Sequence, residues 1–150
     1  MTNNKVITSD NPLNNTQQKN LIGLLDVLIP ASDDKLMPSA AGLDFIPYLH
    51  LHAAETIPIL LQLLAHLEPQ FCTLPPTLRQ PIVEQLSNTQ ATQFRAVVMQ
   101  VFACYYQTEA AQKGIGLEAG APFPRGNDIE AGDLSLLDPV IAGDHGYRKA

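Results

Sequence analysis

Two adjacent carboxylates, Asp33 and Asp34, stand in the segment Ala31-Ser32-Asp33-Asp34-Lys35-Leu36-Met37, closed on either side by Pro30 and Pro38. Paired acidic side chains in a loop can hold a hard cation. A calcium loop, however, alternates its oxygen ligands over a longer stretch than this one offers. The pattern fits better an acidic turn whose Asp and Ser side chains accept from local amides. His50 and His52 also carry ligand chemistry, but two apart on a helix they point about 200° from each other and do not chelate together. Cys72 and Cys104 are widely separated lone thiols, which suits small buried hydrophobes better than a disulfide or a ligand pair. Asp128, Glu130, Asp133 and Asp138 are spaced irregularly, as solvated or capping carboxylates are, and not as an acid–base pair. His145, between Asp144 and Gly146, is expected to be exposed. Gly114-x-Gly116 follows a helix, where a dinucleotide loop would follow a strand, so it marks a helix stop. The sequence has no Gly-rich phosphate loop, paired-Cys motif, Ser-centred elbow or His–Glu helix pair. A free-standing enzyme would have to use His50 or His66 beside Asp33 and Asp34.

The elements that position these groups are helical. The stretch from Ser87 to Lys113 carries Phe94, Val97, Val98, Val101, Phe102, Tyr105 and Tyr106 at the spacing of one helix face. Ser87 and Gln90 have the spacing of a capping box, and Lys113-Gly114 supplies a cation and a left-handed stop. One helix of about 24 residues, roughly 36 Å long, is expected as the axis of the fold. Val98, Val101, Phe102 and Tyr105 should be nearly buried. A first helix starts near Asn15 or Thr16, carries Leu21, Leu24, Leu25 and Leu28, with Ile22 and Ile29 widening the stripe, and ends before Pro30. Ser39 looks like a cap for a second helix with Leu43, Phe45, Ile46 and Leu49, and Pro47 in its first turn. A third, from Ile57 to Leu67, is apolar on more than one side. A fourth opens at Thr73-Leu74-Pro75-Pro76 and reaches Leu86, with Leu78, Ile82, Val83 and Leu86 inward and Arg79 and Glu84 outward. Pro81 should delay or bend it.

The expectation is an all-α protein: a small bundle of about five helices over residues 15–113, a flexible arm over 1–14 and a long irregular C-terminal arm over 114–150. With 150 residues and 45% apolar content a single core is affordable. A net charge of −6, with nine scattered Lys and Arg, argues against nucleic acid as a partner. No apolar run reaches the ~18 residues of a membrane span. Met1 to Asp10 has neither an apolar core nor a twin arginine, so the cytoplasm is expected, or the periplasm if a leader was removed or a partner carries one.

The arm is glycine-rich and loses all period, yet Ile115, Leu117, Phe123, Ile129, Leu134, Leu136, Leu137, Val140 and Tyr147 are too apolar for a solvated tail. It reads as a segment that lies on a surface, its own or a partner's. Pro122 and Pro124 would stiffen the chain around Phe123, the expected anchor, with the Leu134–Val140 run as a second contact.

Two stretches carry a resemblance. Asp26-Val27-Leu28-Ile29-Pro30-Ala31-Ser32-Asp33-Asp34, then Met37-Pro38-Ser39-Ala40 and Gly42-Leu43-Asp44-Phe45-Ile46, is similar to the N-terminal signature of the gluconate 2-dehydrogenase subunit 3 family. Tyr105-Tyr106, Gly116-Leu117, Ala121-Pro122-Phe123-Pro124, Gly126, the run Gly132 to Val140, and Tyr147-Arg148 resemble that family's C-terminal half in the same order. The resemblance implies a small helical subunit that accompanies a large flavin-dependent dehydrogenase of the glucose–methanol–choline type. It implies that FAD and the substrate site belong to the large subunit, with no cofactor in this chain. Its role would then be assistance in folding, export or stability, with Pro30, Asp33, Asp34, Pro38, Tyr105 and Tyr106 as motif residues. The competing reading is a stand-alone helical module for a small apolar ligand or another protein.

Overall fold

Asn14, one residue ahead of the expected cap, starts the first helix. Its side chain accepts from the Gln17 amide at 2.9 Å while the Gln17 side chain accepts from the Asn14 amide at 3.0 Å. Both orphan amides are thereby satisfied. Helix α1 then runs Asn15–Leu28 and closes at Ile29, ahead of Pro30, as expected. The protein is described by a computed structural model covering residues 11–117 and 134–143. Leu13, expected in a loose arm, is buried and belongs to the core. Ile22 does not widen the buried stripe; it is half exposed.

After the Pro30–Pro38 loop come a 3-10 turn at Ala40–Gly42, α2 (Phe45–His52), α3 (Thr56–Ala65), a second 3-10 turn at Phe71–Thr73, α4 (Pro76–Thr89), α5 (Ala91–Tyr106) and α6 (Glu109–Gly114). Ser39 is a cap, but of the 3-10 turn, where it accepts from the Ala41 amide at 3.1 Å. α1 packs on α3 and α4, and α5 packs on α2, α3 and α4. Leu24, Leu25, Phe45, Leu49, Leu60, Leu63, Phe71, Val97, Val101 and Tyr105 meet in one core with almost no exposed surface. Each such side chain contributes about 1.5–3 kcal/mol through its removal from water. The fold is a small all-α bundle, with no strand among the described residues.

The expected long helix from Ser87 to Lys113 is three pieces. Gln90, at φ −121° and ψ 42°, ends α4 and begins α5. Ser87 turns its hydroxyl back to the Glu84 carbonyl at 2.7 Å, and Thr89 does the same to Gln85 at 3.0 Å, so no capping box forms at Ser87. Such short polar side chains compete with the helix for its own carbonyls. At the far end Thr108 caps α6 by accepting from the Ala111 amide at 3.3 Å. α5 therefore has 16 residues and a length of about 24 Å. Its buried face is rotated too. Val97, Val101, Cys104 and Tyr105 point inward, Val98 is half-buried, and Phe102 and Tyr106 are 41% and 46% exposed.

α4 is also turned from the expected phase. Leu78 is 54% exposed, whereas the Arg79 side chain retains only 11% of its exposure. Arg79 stands one turn before Val83 and two before Leu86, the buried positions of this helix. Pro81 does not delay α4, which runs uninterrupted from Pro76; proline has no N–H for the Thr77 carbonyl, and both residues are exposed, where water can take its place.

The helix stop falls two residues later than expected. Lys113 lies in the last turn of α6, but Gly114 is still helical and it is Gly116 that takes φ +81°; Leu117 N reaches Gln112 O at 2.9 Å and Gly116 N reaches Lys113 O at 3.0 Å. Contacts divide the chain after Ala119. Within the second unit, Leu134–Leu137 forms a 3-10 turn that leads into α7, Asp138–Ala142. This corrects the expectation of an arm without regular structure: Asp138-Pro139 places an acid and a proline in the first turn, where both favour a helix start.

Candidate functional site

The acidic loop spends its side chains on itself. Ser32 donates to Asp34 Oδ1 and accepts from the Met37 amide at 2.9 Å, and Asp34 Oδ1 also accepts from the Leu36 amide at 3.0 Å. The Ser32 hydroxyl, and after it the Leu36 amide, hold the Asp34 carboxyl below its ordinary value of 3.8. Ser32 N to Met37 O, 3.0 Å, closes the loop and Lys35 takes φ 60° at its tip. This is the local-amide turn expected from the sequence. Pro30, Asp33 and Asp34 are exposed. Among the described residues no three His, Cys, Asp or Glu side chains gather in a way that could hold a metal ion.

A second polar group braces the root of the loop. Asp26 of α1 accepts from Ser39 Oγ at 2.7 Å and pairs with Arg79 Nη2 at 3.2 Å. Arg79 Nη1 also donates to the Gly23 carbonyl at 3.3 Å, while its Nε is buried with no hydrogen-bond partner. The guanidinium thus ties α4 to α1, and Ser39 ties α1 to the end of the loop. Reading Arg79 as a surface residue missed this node; its position in line with Val83 and Leu86 was the available signal. Asn20 escaped notice as well. It is buried on the apolar side of α1, donating to Glu68 O at 2.9 Å and accepting from Cys72 N at 3.2 Å.

One residue from each of the two stretches that carry the resemblance meets the other. Tyr105 is buried in α5, and its hydroxyl donates to the Pro38 carbonyl at 2.7 Å. Burial pushes its phenol above the ordinary 10.0, with a smaller push from Tyr106. Gly114 lies against Leu36 and Met37, so closely that an added Cβ would stand 2.7 Å from Leu36 O. Pro38 is itself exposed, and Tyr106 lies edge-on to Tyr105 at 5.3 Å between ring centres.

Hollows on this unit are open grooves. One of about 370 Å3 is lined by Asp26, Val27, Pro30, Pro76 and Gln80, and another of about 360 Å3 by Val27, Leu28, Gln80, Val83, Glu84, Ser87 and Phe94. Neither is the closed apolar cavity that a small hydrophobic ligand prefers. His66 borders a smaller groove with Leu67, Ile82, Gln85, Leu86 and Thr89, none of which is a carboxylate. Of the histidines, His52 lies against Tyr48, with ring centres 4.8 Å apart and planes tilted by 38°. Cys104 is buried and Cys72 half-buried, both as free thiols.

Of the residues expected to meet a partner, Pro122, Phe123, Pro124 and Tyr147 lie outside the described residues. Leu134, Leu136 and Val140 fall within the short helical segment, and Leu137 on that segment is 49% exposed. Ile141, one turn beyond Leu137, is 77% exposed. No helix among the described residues is long and apolar enough to cross a membrane. Set against protein-family models, curated proteins and solved structures, the chain finds no match.

Proposed function

We propose that this chain is a non-catalytic accessory subunit that binds a large flavin-dependent dehydrogenase of the glucose–methanol–choline type through its C-terminal segment. The observation that supports this reading is the pair Leu137 and Ile141, 49% and 77% exposed one turn apart on the segment Leu134–Ala142. Apolar residues at i and i+4 on a short helix are the anchors of helix-in-groove recognition. Leaving them in water forfeits about 1.5–3 kcal/mol each, which a partner's groove would recover. The two stretches that resemble the gluconate 2-dehydrogenase subunit 3 family add weight, since Tyr105 and Pro38, one from each, are hydrogen-bonded. On this reading FAD and the substrate site belong to the large subunit, and this chain contributes a docking segment on a braced helical bundle.

The test is capture of a flavoprotein by the tagged full chain, read by flavin absorbance of the purified complex. Leu137→Asp with Ile141→Asp should abolish capture while far-UV circular dichroism and the melting transition of the free chain stay unchanged. A complex without flavin, or capture that survives both substitutions, overturns the reading.

A further inference from the structure

Two methionines stand among the described residues, and their surroundings differ. Met99 is 60% exposed on α5 and takes no part in the core. Met37, near the end of the acidic loop, is half-buried and packs against the core. Its sulfur is the nearest atom to the place that a Cβ on Gly114 would take, so the thioether sits in the notch that this glycine leaves in α6. The Leu36 carbonyl oxygen borders the same notch, 2.7 Å from that place. The backbone around Met37 is pinned. Its N–H donates to Ser32 Oγ at 2.9 Å, its carbonyl accepts from Ser32 N at 3.0 Å, and the next carbonyl, of Pro38, accepts from Tyr105 at 2.7 Å.

We infer that Met37 is an oxidation site, and that its conversion to the sulfoxide by a hydroperoxide unlatches the acidic loop from α6. In that step a sulfur lone pair attacks one peroxide oxygen. The S–O bond forms as the O–O bond breaks, and the departing hydroxide is protonated to water. Sulfur gives up two electrons and the peroxide takes them. An apolar thioether thereby becomes a polar, pyramidal group. The new oxygen is an acceptor, and a buried acceptor requires a donor. The notch offers it Leu36 O, a second acceptor, and has no room to spare. Because the Met37 backbone is held at both of its polar groups, the flexible side chain gives way first. It turns out to water and leaves Gly114 uncovered. Half-burial makes the sulfur both reachable by peroxide and consequential when it reacts. Met99 is oxidised as well, without effect on the core, and serves as an internal standard. The inference concerns the loop and α6 alone, and it is independent of the accessory-subunit reading.

The full chain is treated with graded hydrogen peroxide, and sulfoxide at each methionine is read by peptide mass spectrometry alongside amide exchange. Exchange should rise by about ten-fold or more at the Ser32 and Met37 amides and at the Ile115, Gly116 and Leu117 amides that close α6. The rise should track sulfoxide at Met37 and not at Met99, and α5 amides should keep their protection. Treatment with the two methionine sulfoxide reductases, one for each epimer, should reverse it. Met37→Leu, close in volume, should keep the untreated pattern and lose the response, while Met99→Leu should keep both. The wild-type titration and its reversal need no variant. A Met37 that stays reduced when Met99 is fully oxidised overturns the proposal, as does sulfoxide at Met37 with no rise in exchange. A rise that follows Met99, or that persists in Met37→Leu, overturns it too.

Discussion

The Tyr105 hydroxyl reaches the carbonyl of Pro38 across 67 positions of sequence, at 2.7 Å and in a site with 1% of the side chain's free exposure. It is the point at which the acidic loop is fastened to α5. Tyr105 is buried while Pro38 is exposed, so losing the donor costs the net worth of the bond and part of the carbonyl's desolvation, and the ring itself remains needed for packing. Tyr105→Phe should therefore cost about 1–2 kcal/mol in urea unfolding. Tyr105→Ala should cost about 3–5 kcal/mol, because it also opens a cavity. Equal losses in the two variants would show that the hydrogen bond carries nothing.

Gly114 fastens the same loop by being small. A methyl group there would press on Met37 Sδ and stand 2.7 Å from Leu36 O, which is backbone and has little freedom to withdraw. Gly114→Ala should destabilise by about 1–3 kcal/mol, the usual range for overpacking. It should also raise amide exchange at Leu36 and Met37, the residues that Ser32 and Asp34 hold. A substitution that leaves both stability and exchange unchanged would place the loop away from α6.

Arg79 and Asp26 offer a cycle. With the two side chains 11% and 34% exposed, water screens the pair, and a coupling of about 1 kcal/mol is expected from Asp26→Asn and Arg79→Met combined. Arg79→Met keeps the stem packed against α1 while releasing the unpartnered Nε, so it should cost less than Arg79→Ala. Additive losses would reduce the pair to two independent contacts.

The helices that the sequence announces plainly are those with a stop or start written in backbone chemistry. Ile29 before Pro30 and Pro47 in a first turn each appear where the sequence puts them. The break at Gln90 was not legible, because Ser87 and Thr89 can cap a helix or bond back along one, and only the packing of α4 on α5 decides. The phase of α5 was hidden for a related reason. With valines and aromatics on both sides, period alone does not say which side meets the core. Val97, Val101, Cys104 and Tyr105 do so, and Met99 and Phe102 are left outside. Of the candidate site, the loop's internal bonding was readable from Ser32 and Asp34, whereas its attachment to Tyr105 and Gly114 depends on tertiary contacts that no local pattern records.

Two buried acids give the fold a pH dependence on the alkaline side. Burial pushes the Cys104 thiol above its ordinary 9.0, with a smaller push from the Asp44 carboxylate, and pushes the Tyr105 phenol above 10.0. In the unfolded chain both ionise near those ordinary values, so above them the folded state holds more protons than the unfolded one. Stability is then complete below pH 9.0 and is lost as pH rises through the window between the unfolded and folded values. Asp34 has the opposite sign. Its folded value is lowered, so its contribution is present above pH 3.8 and is lost as pH falls through the folded value. Asp34 is fully exposed, which confines that loss to the order of the loop. The urea midpoint should fall as pH is raised above 9.0, and Cys104→Ala should flatten the first part of that fall whatever it costs in packing. Tyr105→Phe should flatten the part above 10.0. A midpoint that rises with pH in this range, or a slope that neither substitution alters, would show that Cys104 and Tyr105 are not the groups that titrate on unfolding.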